Sequence, residues 1–330
     1  MKLPSLRFRP LTWLALACFF HLLIALGVFI IGHHQLAPTI IDSHGVGLRF
    51  SSDALAYRSI TIDLAETLRH DGLLKWVRFA APLHCRMYSL AFSAVGGVVG
   101  YNTLAAEPLN LLYYAAILTA VYQLGHGLFD RRAAFISTAI VALWPSFVIH
   151  SVQIIKDPLA IAALLWILLV ITLLLTRTVS SIQAAAWTIS GAWLVIIVWL
   201  VRPSLWISLV TMIALAAVLL MIRMLQTQSL APPNVMVLTS LAIVTFFVPG
   251  HLREATLPVD VERLATIAGA RSGVQNTRHA ASDIDPDVRL HSVPEVLKFL
   301  PRAVVIGLFA PFPNMWLRAV GQAGVAARYL

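Results

Sequence analysis

Charge is scarce in this sequence of 330 residues. Asp, Glu, Lys and Arg make up 12% of it and hydrophobic residues 59%, whereas an ordinary soluble domain carries roughly 25% charge. That deficit, with a mean hydropathy of +0.83, excludes a soluble globular domain and predicts a polytopic membrane protein. Cysteine is scarcer still: Cys18 and Cys85 are the two in the chain, too few for a disulfide framework or a structural zinc site. Acidic residues number 15 against 24 Lys and Arg, a formal net charge of +9. Because most apolar runs lack charge, these residues crowd the loops, which makes the loops the informative part. No internal repeat or low-complexity run is visible, and nothing points to a nucleic-acid partner.

What is present in abundance is apolar runs long enough to cross a bilayer. They fall at roughly 11–32, 104–126, 133–150, 158–176, 185–201, 204–222, 235–249 and 302–317, which predicts an all-α bundle of about eight transmembrane helices. The first run follows Lys2, Arg7 and Arg9 and has no small-x-small cleavage site after it, so it reads as an anchor rather than a cleaved signal. A further apolar stretch, Met87 to Gly100, decides the sidedness of everything after it. If it does not span, Lys2, Arg7, Arg9, Arg131, Arg132, Arg177 and Arg223 share the cytoplasmic side with Asp130 for acidic company, as the positive-inside rule requires. Gly96, Gly97 and Gly100 also weaken it as a spanning helix.

The resulting division is an anchor at 1–32, an external loop with amphipathic helices at 33–103, a transmembrane bundle at 104–249, a second external loop at 250–301, and a last helix with its tail at 302–330. It puts fourteen of the fifteen acidic residues outside and makes the external face the working one. The protein is expected to be a multi-pass membrane protein active on its external side.

In the first external loop, Tyr57, Ile60, Leu64 and Leu68 recur at spacings of three and four, an amphipathic helix with Ser51 and Ser52 as candidate caps. Asp53 precedes Tyr57 by one turn, either as a first-turn acid favoured by the helix dipole or as a functional acid facing the mouth of the bundle. His84, Arg86 and Tyr88 stand at the entrance of the ambiguous helix, where Arg86 can equally snorkel and Tyr88 join an aromatic belt. Lys156 and Asp157 lie between two apolar runs, as does Arg202; ionisable groups so close to the bilayer mark a site by default. The competing readings are a mutual Lys156–Asp157 pair, a cap by Asp157 ahead of Pro158, and an interfacial Arg202. Asp283, Asp285 and Asp287 resemble the start of a calcium loop but lack its glycine and its twelfth-position glutamate, and read as a turn.

These residues also carry a resemblance. The ordered set Asp53-x-x-x-Tyr57, Pro82-Leu83 with Tyr88, Gly100-Tyr101-Asn102, Leu109-Asn110-Leu111-Leu112, Leu124-Gly125 through Arg131-Arg132-Ala133-Ala134, Trp144-Pro145 and Lys156-Asp157-Pro158-Leu159 resembles multi-spanning glycosyltransferases of the GT-C superfamily. It is most similar to the bacterial family-39 kind, related to protein mannosyltransferases, and the likeness covers roughly residues 45 to 175. The resemblance implies a polyprenyl-phosphate-linked sugar as donor, a lipid, glycan or protein acceptor, and Asp53 as catalytic acid/base, with Asp157 as the second acid. Where the family commonly has Ser-Glu or Thr-Glu this chain has Lys156-Asp157, so a divalent cation (magnesium or manganese) between Asp53 and Asp157 and simple substrate positioning both stay open. Relatives usually run on for several more spans, which makes this chain either a truncated or a short divergent member.

Such chemistry needs a groove facing the lipid, cations for the phosphate, and a carboxylate base. Arg202 suits a phosphate because its planar donors reach two oxygens at once, with Arg86 and Lys156 as further phosphate partners and Tyr57 and His84 as further substrate contacts. A non-catalytic membrane subunit of a polysaccharide synthesis or export system is the alternative. A transporter or flippase would call for charges or broken helices at the bilayer midplane, and the apolar runs read as nearly free of them.

Overall fold

The computed structural model describes residues 10–36, 52–228, 232–251 and 293–309. Every regular element among them is helical: α1 (Pro10–His33), α2 (Ser52–His70), α3 (Leu73–Arg78), α4 (Leu83–Val99), α5 (Thr103–Leu128), α6 (Arg131–Leu143), α7 (Pro145–Ser151), α8 (Asp157–Thr176), α9 (Ser181–Val201), a 3-10 turn (Pro203–Leu205), α10 (Trp206–Thr227), α11 (Pro232–His251) and α12 (Val293–Phe309). The chain is thus an all-α polytopic membrane protein, with a smaller span count among the described residues than the eight expected. Five helices, α1, α5, α8, α9 and α10, are long and apolar enough to cross alone, and α6 with α7 makes a sixth span if its 63° bend at Trp144–Pro145 is allowed. The run at 235–249 lies in α11, whose apolar part, Pro232–Val248, is shorter than a full span. The run at 302–317 begins in α12 and continues beyond the described residues, as does most of the second external loop.

The chain divides into two units, Met1–Leu252 and Arg253–Leu330. In the second, α12 carries Glu295 in its first turn and Pro301 inside it. In the first, short links make successive spans antiparallel. Two residues join α5 to α6, and the Asp130 carboxylate caps α6 by accepting from the Ala133 N–H at 2.7 Å. α5 and α6 approach closely because position 125 has no side chain: a Cβ on Gly125 would fall 2.7 Å from the Ala134 Cα. Ser180 and Gln183 form a reciprocal capping box at the start of α9.

The two ends of this bundle differ in chemistry. One end holds Asp130, Arg131, Arg132, Arg177 and Arg223. There the last carbonyls of α8 are satisfied from outside the helix. Arg223 Nη1 donates to Leu174 O at 2.9 Å, and the Asn234 amide donates to Leu174 O and Arg177 O while accepting from Val179 N–H. The other end gathers the N-termini of α5, α8 and α10 and the C-termini of α7 and α9. Over it lie α2, α3 and α4.

α4 is 17 residues long and buries Cys85, Tyr88 and Phe92 against α2 and α5. It packs as part of the layer covering this end and, among the described residues, does not reach the length of a spanning helix. Arg69 ties α2 to α4 through Ser93 O at 2.7 Å, and Arg58 ties α2 to the loop before α5 through Tyr101 O at 2.9 Å. That loop turns at Gly100, whose φ of +81° favours glycine.

Candidate functional site

Under the α2–α4 layer the bundle presents a cluster built by three helix ends. Asp157 opens α8, where a first-turn carboxylate complements the helix dipole, and its Oδ1 lies 2.7 Å from Nη2 of Arg202, the residue that ends α9. Lys156, beside it, turns away and sets its ammonium 5.8 Å from the centre of the Tyr57 ring on α2. Lys156 and Asp157 therefore face different partners. Both members of the Asp157–Arg202 pair are 40% exposed, so the pair adds little stability, about 0–1 kcal/mol. Its role lies in orienting the guanidinium, whose other N–H groups point along the rest of its fork.

Tyr57 is backed by His84 of α4, their rings edge to face at 4.3 Å. His84 is only 3% exposed, which makes it the support beneath Tyr57 rather than part of the surface that a ligand meets. Asp53 sits in the first turn of α2, one turn before Tyr57. Arg86 is not brought to the cluster. Its guanidinium donates to Val77 O at 2.8 Å and to Phe79 O, with its carbon 5.9 Å from the centre of the Trp76 ring, and so closes the turn from α3 to α4. Its neighbour Cys85 is buried, which pushes its thiol up to about 11 and keeps it protonated at neutral pH. Among the described residues no three or more His, Cys, Asp or Glu side chains converge as a metal site would require. The Asp157 carboxylate, a candidate metal ligand, faces Arg202.

A second polar assembly escapes the sequence reading altogether. Midway along α1, His21 Nδ1 lies 2.7 Å from Glu107 Oε1 on α5, and its Nε2 lies 2.8 Å from Ser151 Oγ at the end of α7. His21 and Ser151 are fully buried and Glu107 is 3% exposed. One turn along α5, Asn110 Oδ1 accepts from Tyr88 O–H at 2.8 Å; the Tyr88 oxygen also lies 3.2 Å from Ile155 O. Among the described residues, no hydrogen-bond partner within 3.5 Å meets Glu107 Oε2, Asn110 Nδ2 or the Tyr113 hydroxyl.

Two expectations change here. Glu107, counted among the external acids, lies inside the spanning helix α5, and the apolar runs are not free of ionisable groups, since His21 and Glu107 pair within two of them and a third, α6–α7, is bent. A histidine and a glutamate each isolated in an apolar run were the signals that mark such a pair.

Ser151 Oγ also lies 2.8 Å from Val148 O, to which it can donate, so the imidazole bridges a carboxylate on α5 and a hydroxyl anchored to the backbone of α7. The order Ser, His, Glu is that of a nucleophile triad. Here the serine hydroxyl is committed to a carbonyl and has no exposed surface, and the arrangement works as a clamp.

A third feature is an apolar groove of about 480 Å³ between α10 and α11, lined by Val210, Ile213, Met221, Met224, Leu238 and Phe246 among others. Its lining on α10 runs from Val210 to Met224. No family model, no curated protein and no solved structure matches this chain.

Proposed function

We propose that the protein is an integral membrane glycosyltransferase. It transfers a hexosyl or pentosyl group from a polyprenyl-phosphate-linked donor to a lipid, glycan or protein acceptor, with Asp53 as general base. The observation that carries this reading is the adjacency of Lys156 and the Asp157–Arg202 pair at one end of the bundle, with the Lys156 ammonium against Tyr57 of α2, a residue one helical turn from Asp53. Two cations thus stand beside a carboxylate at the end of an apolar bundle. An anionic lipid headgroup is met by Arg202 and Lys156, and the apolar surface of the bundle, including the groove along α10, takes the chain. In the transfer the acceptor oxygen bonds to the anomeric carbon, the bond from that carbon to the phosphate oxygen breaks, Asp53 takes the acceptor proton, and the polyprenyl phosphate leaves held by the cations. Asp157 keeps Arg202 oriented while no phosphate is bound.

The orientation follows from the contrast between the two ends. Arg131, Arg132, Arg177 and Arg223 sit at one end, which the positive-inside rule assigns to the cytoplasm. The cluster then faces outward, toward the periplasm of a bacterial inner membrane.

Binding of a polyprenyl monophosphate to purified protein tests the phosphate assignment. Arg202→Ala is expected to weaken binding by about tenfold or more, the scale of one lost charge-assisted contact. Arg202→Lys keeps the charge without the fork and is expected to fall between the parent and the alanine variant. Unchanged affinity in Arg202→Ala removes this residue from the site.

A further inference from the structure

Between α7 and α8 the chain runs from Val152 to Lys156 without regular helix, yet Val152, Gln153 and Ile154 are fully buried and Ile155 is 6% exposed. Irregular backbone at such burial needs fixed partners for its polar groups, and its course decides where Lys156 and Asp157 emerge. Two side chains anchor it. Ser151, immediately before the run, is held by His21 Nε2 at 2.8 Å. Tyr88 meets its interior through Ile155 O at 3.2 Å and, at longer range, Gln153 O at 3.5 Å.

Both anchors trace back to one face of α5: Glu107 holds His21 and, one turn on, Asn110 holds Tyr88. Packing alone asks for none of these polar groups. Leucine or phenylalanine would fill the same space without desolvating a carboxylate and an imidazole in the membrane. What the polar groups add is direction, because a hydrogen bond fixes the register of a run that no helix ladder fixes. α1 joins the arrangement through His21 at its midpoint, on a narrow buried stripe otherwise made of Ala17, Ala25 and Gly32.

We propose that His21 and Glu107 are positioning residues for the candidate site. They hold Ser151, and through it the 152–156 run, so that Lys156 lies over Tyr57 and Asp157 meets Arg202. The proposal rests on the reading of that cluster as the donor-phosphate site, and its test has one arm that does not.

The test compares the parent with the double variant His21→Leu, Glu107→Leu and with Ser151→Ala, which leaves the His21–Glu107 pair in place. The first arm introduces Gln153→Cys in a background with Cys18→Ala and Cys85→Ala, and measures maleimide labelling in folded, detergent-purified protein. The buried position 153 is expected to resist labelling in the parent background and to be labelled at least several-fold faster in both variants. The second arm measures polyprenyl monophosphate affinity, expected to fall about tenfold or more in both variants, as displacement of a binding group by a fraction of an ångström to one ångström does.

Folded variants with parental labelling and parental affinity overturn the proposal. Faster labelling with a parent that binds no polyprenyl phosphate upholds the positioning of the run and overturns the donor-site reading. If the double variant does not fold, Ser151→Ala decides the matter alone: parental labelling of it overturns the proposal.

Discussion

Leucine in place of His21 is expected to cost about 3–5 kcal/mol of stability, the usual penalty for removing one partner of a buried ion pair. The substitution leaves Glu107 at 3% exposure inside α5 with both carboxylate oxygens unpartnered, so it must either take up a proton or remain an uncompensated charge in a medium of low dielectric constant. Changing Glu107 to leucine as well removes that group, and the double variant is expected to recover most of the loss. The decisive quantity is the interaction term of the cycle from the two single variants and the double, measured by equilibrium unfolding in mixed detergent micelles. The recovery just described implies a term at or above the upper end of the roughly 0.5–3 kcal/mol that coupled residues usually give; strictly additive single effects would mean that the pair contributes nothing as a pair.

The largest effect on activity is expected at Asp53. Asp53→Asn keeps the size of the side chain and its suitability for a first-turn position while removing the base, so a purely helix-terminal role predicts a stability change of about 1 kcal/mol at most and retained turnover. The catalytic role predicts a fall of about 100- to 10,000-fold in kcat. Donor affinity should be retained, because Arg202 and Lys156 are untouched and keep their partners Asp157 and Tyr57. Steady-state kinetics of the purified variant beside the parent separates the two, and turnover within a few-fold of the parent would remove Asp53 from the chemistry.

How far these features could be read in the sequence depends on whether their cause is local. The spans were legible because a bilayer imposes a length and a composition that any window of residues displays; α1, α5, α8, α9 and α10 lie where the apolar runs lie. The bend at Trp144–Pro145 was marked by its proline, but its angle depends on the neighbours of α7. The shortness of α4, the helix that holds most of Met87–Gly100, was foreshadowed by its glycines.

Lys156, Asp157 and Arg202 stood out because each ionisable group adjoins an apolar run, though their pairing did not: Asp157 was as good a partner for Lys156 as for Arg202 until α9 brought Arg202 alongside. Arg86 and His84 looked alike in the sequence and have different fates, one bound to the carbonyls of Val77 and Phe79, the other buried beneath Tyr57. The His21–Glu107–Ser151 assembly joins residues 86 and 130 positions apart. No periodicity encodes such a contact, and the isolated polar residues were the trace it left.

The most direct test of the central claim is sugar transfer by the parent protein in vesicles of known sidedness, with a polyprenyl-phosphate-linked sugar in the membrane and candidate acceptors added outside. A cysteine at Ser52 and an impermeant reagent establish which face is out. The account predicts transfer when the Asp53 end of the bundle faces the acceptor, none when it faces the lumen, and none with Asp53→Asn. Absence of transfer by correctly oriented parent protein across hexosyl and pentosyl donors would contradict it and leave the non-catalytic membrane subunit as the better description.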